Sequence, residues 1–186
     1  MILNRQRGVP VSLASLERFW GQVIETLRLP EDSMTICLVS EAEIARWNRA
    51  YRSKSGPTDV LSFPAEEDAA GAASGRLEAG ATKAPSKGGA ARNGSRLARK
   101  TSRGSRTKRL PSVSGSEVGR YLGDIAIAPE VARRNALRLG RSLGSELRIL
   151  MLHGALHLLG YDHERDNGEM ERLERRLRSR LGLVGK

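Results

Sequence analysis

Among 186 residues there is one cysteine, Cys37. That excludes a disulfide framework, and its place in the apolar run Thr35–Val39 fits a reducing compartment. Aromatic residues make up 4% of the chain, and none falls between Phe63 and Tyr121. An extended stacking platform for single-stranded bases is therefore not evident, and Trp20 and Trp47 suit apolar helix stripes better. Long hydrophobic runs are missing too. The most apolar helical stretch, 146–159, is too short to cross a bilayer and contains His153 and His157. Residues 1–7 lack the apolar segment of a secretory signal, so a cytoplasmic location without a membrane partner is expected. Acidic side chains nearly vanish over 72–116, where Glu78 faces eleven Lys and Arg residues. That segment holds +10 of the formal +11, while the rest of the chain sets 21 basic against 20 acidic groups. A uniformly basic, nucleic-acid-coating protein is excluded.

Between about 66 and 118 the composition departs from everything around it. Residues 72–116 hold eight Ala, eight Ser and seven Gly. With so little apolar surface, burial cannot offset the entropy of ordering. A disordered basic insertion is predicted there, interrupting one domain that spans 1–186.

The flanking halves carry regular signals. A short strand is expected at 2–6. A helix from Ser12 follows, with Leu13, Leu16, Trp20, Val23, Ile24 and Leu27 at helical spacing and Pro30 as its stop. A buried strand covers 34–39. Ser40-Glu41-Ala42-Glu43 is a capping box for a helix with Ile44, Trp47 and Tyr51 on one stripe. Strands are expected at 59–63 and 123–128, and Pro129 opens a helix that Gly140 ends. Residues 145–159 are apolar nearly all round, which marks a central buried helix. The last helix, 168–182, has a stripe of Met170, Leu173, Leu177 and Leu181, and pairs Glu171 with Arg175 and Glu174 with Arg178 at i,i+4. The fold class is α+β (mixed α/β), with a small mixed sheet packed with helices around the buried histidine-bearing helix.

The three histidines of the chain all lie within HGALHLLGYDH, residues 153–163. His153 and His157 are one helical turn apart and share a face. Gly160 permits a left-handed turn that returns His163 to the same point. Three neutral imidazoles converging in this way form a catalytic zinc site, one ion per chain, with a fourth position open. The spacing is also the metal frame of the metzincin proteases, a zincin-like arrangement. Their general base follows the first histidine, and here Gly154 takes that place, so peptide hydrolysis by that route is set back. Glu146, two turns before His153, lies roughly 10 Å away by helical rise and reads as a helix N-terminal carboxylate.

HGALHLLGYDH resembles the signature of the YbeY family, bacterial rRNA maturation factors regarded as metal-dependent, single-strand-specific endoribonucleases. A second stretch, Asn48–Pro64 (NRAYRSKSGPTDVLSFP), is similar to another block of that family, and Gly123-Asp124-Ile125 matches a third element. The likeness covers roughly 1–65 and 119–183. It implies a zinc-dependent nuclease acting in rRNA maturation and in ribosome assembly or quality control. It also implies His153, His157 and His163 as ligands and Arg52 as the essential basic residue of the cleft. Single-stranded RNA, rRNA and ribosomal particles are the implied partners, with small-subunit ribosomal proteins or assembly GTPases as candidate protein partners. The 72–116 insertion departs from the family's usually short connection.

Other roles stay open at this stage. Arg52 can hold a phosphate oxygen pair bidentately, which lysine does less well. Lys54 either adds phosphate affinity or is an ordinary surface lysine. Asp162 either orients a ligand imidazole or serves the turn. Thr58 and Asp59 either line the cleft beside Arg52 or complete the Pro57 turn. The competing function is a non-catalytic ribosome-assembly factor with a structural zinc. No fourth ligand is evident in the sequence, which favours the open, catalytic site.

Overall fold

The computed structural model describes residues 1–65, 120–163 and 166–183. The insertion expected at about 66–118 lies outside the described residues. In chain order the elements are β1 (Ile2–Asn4), α1 (Leu13–Leu27), β2 (Met34–Leu38), α2 (Glu41–Arg52), β3 (Val60–Pro64), β4 (Gly123–Ile127), α3 (Pro129–Arg138), α4 (Leu143–Leu158) and α5 (Glu169–Arg180). The four strands form one mixed sheet in the order β1-β2-β4-β3, in which only β3 runs antiparallel to its neighbour. This is the α+β class expected from the sequence.

Every residue of β2 and β4 is buried, as strands covered on both faces should be. On one face Ile36, Leu38, Ile125 and Ile127 pack into a core with α1, α4 and α5. On the other, Cys37, Val39 and Ala126 meet Ile44 of α2 and Val131 of α3. Helix α4 supplies Leu147, Met151, Leu152 and Leu156 to the larger core, each essentially inaccessible to solvent. Burying one such side chain fully contributes roughly 1.5–3 kcal/mol, so α4 is anchored along its length. That anchoring makes it a rigid base for the histidines.

Several local details differ from the sequence reading. Ser12 occupies the N-cap of α1 through its backbone, but its side chain makes no capping bond. Helix α1 ends at Leu27, before Pro30, because Arg28 turns left-handed at φ 56° and the Leu29 N–H bonds back to the Ile24 carbonyl. The stripe drawn on α2 is only partly correct. Ile44 is buried, but Tyr51 is 68% exposed, and Asn48 takes the second buried position. The Ser40 hydroxyl accepts the Glu43 N–H, as the capping box requires.

Candidate metal centre

His153 and His157 stand on the last two turns of α4, half-buried, and His163 follows in the next turn, exposed. Gly160 adopts φ 85°, a conformation that favours glycine, and the Tyr161 N–H bonds back to the Leu156 carbonyl at 3.0 Å. These features reverse the chain and bring His163 over the pair on the helix. Ring centroids then lie 4.7 Å apart for His153–His157, 5.3 Å for His157–His163 and 5.7 Å for His153–His163. One nitrogen from each ring falls within 4.8 Å of the other two.

The donor set fits a tetrahedral metal ion. Two nitrogens bound to zinc at about 2.0–2.1 Å in tetrahedral geometry sit about 3.3–3.4 Å from one another. The Nε2 atoms of His153 and His157 are 3.1 Å apart. Two imidazole nitrogens that close cannot both carry protons facing each other. The His157 pKa is pushed down, first by burial and then by the neighbouring His153 and His163, while the carboxylate of Asp162 works the other way. Neutral imidazole is the ligating form. No other group of three or more potential ligands was found among the described residues, and no carboxylate or thiol joins this one. Cys37 is buried in β2, where burial and then Asp124 raise its pKa to about 11.

The histidines open into a cleft of about 960 Å³ between the Asn48–Pro64 segment and the end of α4. Arg52, Lys54, Asp59 and Asp162 all line it with the three histidines, so every site residue picked from the sequence reaches one place. Arg52 is exposed at the end of α2, and no ion pair holds its guanidinium among the described residues. The buried Asn48 donates Nδ2–H to the Gly56 carbonyl at 2.9 Å and accepts the Lys54 N–H on its own carbonyl. That clasp fixes the Arg52–Pro57 turn along the cleft wall. Asp59 is heavily engaged. One oxygen accepts the Val60 N–H and the Thr58 hydroxyl, and the other accepts Nδ2–H of Asn135 on α3. These bonds suit the turn-completing alternative for Asp59. Asp162 serves its turn through its backbone, since its carbonyl accepts the Asp166 N–H.

Two contributors escaped the sequence reading. The carboxylate of Asp166 accepts three backbone N–H groups, from Gly168, Glu169 and Met170. It caps α5, and the Asp166 N–H bonds the Asp162 carbonyl at 2.9 Å, beside His163. Glu174 of α5 approaches His153 Nδ1 with Oε2 at 3.3 Å. Asp166 carries the ordinary signal of a capping residue a few positions before a helix. Nothing in sequence distinguished Glu174 from a surface i,i+4 partner. Glu146, by contrast, is where its spacing put it, buried in the first turn of α4 and paired with Arg141 at 3.0 Å.

Fold and site together define an α+β protein whose central helix and following turn present three histidines, a set able to hold a metal ion, to an open cleft. The family model described as "Endoribonuclease YbeY" matches residues 1–182. Proteins named Endoribonuclease YbeY are similar over most of the chain. The one from Koribacter versatilis is 33% identical over 183 residues, covering 98% of this chain and 86% of its own. That from Solibacter usitatus is 34% identical, covering 95% and 86%, and that from Thermobifida fusca 31%, covering 85% and 77%. A solution structure from Thermotoga maritima aligns with a TM-score of 0.49 at 23% identity, over 97% of this chain and 89% of that one. The chain belongs to the YbeY endoribonuclease family. No helix among the described residues is long and apolar enough to cross a membrane.

Proposed function

We propose that this chain is a zinc-dependent, single-strand-specific endoribonuclease acting in rRNA maturation and in ribosome assembly or quality control. The observation that carries the reading is the convergence of His153, His157 and His163 in the same open cleft as Arg52. Membership of an endoribonuclease family supplies the substrate class. In this reading the three histidines hold the ion, and the domain spans 1–186 around its basic insertion. Held there, a zinc ion would supply Lewis acidity and an activated water. Arg52 grips non-bridging phosphate oxygens through its fork of N–H donors, neutralising charge and setting the phosphodiester in place. Lys54 adds a second positive charge on the same wall. Asn48 and Asp59 keep that wall in shape through the bonds described above.

A cleft this open, with three ligands and no fourth among the described residues, supports the catalytic reading over a purely structural zinc. Metal analysis tests it. Purified protein should contain about one zinc per chain, and His153→Ala and His157→Ala should each lose it. Chelator should abolish cleavage of single-stranded RNA, and zinc should restore it. Full zinc content in either variant would remove these histidines from the site.

A further inference from the structure

We propose that Glu174 is a positioning residue of the metal site: its carboxylate accepts the Nδ1–H of His153 and turns that imidazole so that Nε2 presents its lone pair to the cluster. The two ring nitrogens of His153 face different partners. Nε2 lies 3.1 Å from His157 Nε2, and Nδ1 lies 3.3 Å from Glu174 Oε2. A neutral imidazole has one proton to place. A carboxylate accepts but does not donate, so the proton belongs on Nδ1, and Nε2 is left free to ligate. A solvated imidazole with no such partner favours the opposite tautomer, which would point an N–H at the ion.

Glu174 is itself held from two sides. Its other oxygen, Oε1, accepts from Arg178 at 2.6 Å, and the side chain is only 12% exposed. Met170, Leu173 and Leu177 bury the apolar stripe of α5 in the main core, and the Asp166 cap fixes the start of the helix. The carboxylate is therefore delivered to His153 by a packed element, not by a mobile surface chain.

The inference rests on the metal-site reading above, and the test separates the two. Zinc dissociation constants are measured by chelator competition for wild type, Glu174→Ala and Arg178→Ala. In the metal-free proteins, ¹⁵N chemical shifts of the His153 ring report the tautomer. Wild type should bind one zinc and show the proton on Nδ1. Glu174→Ala should bind zinc 10- to 100-fold more weakly, in the range typical for loss of such a partner, and shift His153 toward the Nε2–H tautomer. Arg178→Ala, which leaves the carboxylate in place, should lose less affinity. Unchanged affinity and tautomer in Glu174→Ala would overturn the proposal and leave Glu174 as a clamp between α4 and α5. A wild type that binds no zinc would instead overturn the metal-site reading, and the tautomer would still decide the role of Glu174. Should Glu174→Ala fail to fold, Glu174→Leu keeps much of the side-chain volume without an acceptor oxygen, and the same two measurements decide.

Discussion

Gly154 follows the first histidine, where the protease frame has its glutamate, and packing explains why no side chain stands there. A Cβ at Gly154 would come within 2.6 Å of Ile125 Cγ2, and Ser62 Oγ bonds the Gly154 carbonyl at 3.3 Å. Helix α4 thus lies directly on β4 at the level of the site, and a glutamate has no room. Gly154→Ala should destabilise the fold by roughly 1–2 kcal/mol, because overpacking costs about 1–3 kcal/mol against a gain of up to about 1 kcal/mol in helix propensity. Urea unfolding checks this, and an unchanged midpoint would mean that Ile125 gives way easily. Cys37 permits a pH prediction. Its thiol pKa is raised to about 11, first by burial and then by Asp124. The raised value means the folded state holds the proton more tightly than the unfolded chain. The stability it contributes is complete below the unfolded value of about 8.5 and fades as pH climbs through the folded one. At pH 8 a thiol reagent should label Cys37 only after denaturation. Rapid labelling of the native protein would contradict its burial.

The join between β3 and β4 leaves no room for a side chain. Pro64 pairs with Gly123, which sits at φ 140° with the Phe63 carbonyl oxygen 2.1 Å from where a Cβ would be. Because the obstacle is backbone, Gly123→Ala should cost more than Gly154→Ala, on the order of 3 kcal/mol, and should lower the thermal midpoint accordingly. An equal or smaller loss than for Gly154→Ala would show that the strand end is loose. Elements governed by periodicity or by a cap were legible in the sequence. The i,i+4 histidines, the Gly160 reversal and the Ser40 capping box each follow from local geometry. What was not legible depends on contacts across the fold. Glu174 looked like a surface partner of Arg178 until α5 was laid beside α4. Tyr51 kept helical register with Ile44, yet an edge contact with Phe63 of β3 leaves it 68% exposed. The left-handed Arg28 ends α1 because buried Leu29 draws the chain inward, a pull that Pro30 alone does not announce. The order of the strands likewise had no local signal.

Across the whole molecule, the insertion joins two chain ends that already touch. Ala65 N–H bonds the Leu122 carbonyl at 2.9 Å beside the Pro64–Gly123 pair, a separation a short turn can bridge. Replacing 72–116 with a short Gly-Ser linker should therefore leave the thermal midpoint and zinc content unchanged. It should also weaken RNA binding and flatten its salt dependence, because +10 of charge that can release counterions is removed. An unchanged salt slope would make the segment a passive connection, and a large fall in midpoint would make it part of the fold. The central claim, that the histidine cluster and Arg52 form one catalytic centre for RNA hydrolysis, is tested most directly by cleavage of a defined single-stranded RNA by zinc-loaded protein freed of contaminating nucleases. Wild type should cut the single strand and spare its duplex. His157→Ala should be inactive. Arg52→Ala should retain zinc and fold yet lose cleavage, with Arg52→Lys also falling well below wild type because lysine offers only a point charge. Cleavage at the wild-type rate by His157→Ala or Arg52→Ala, or none by the zinc-loaded wild type, would contradict the account.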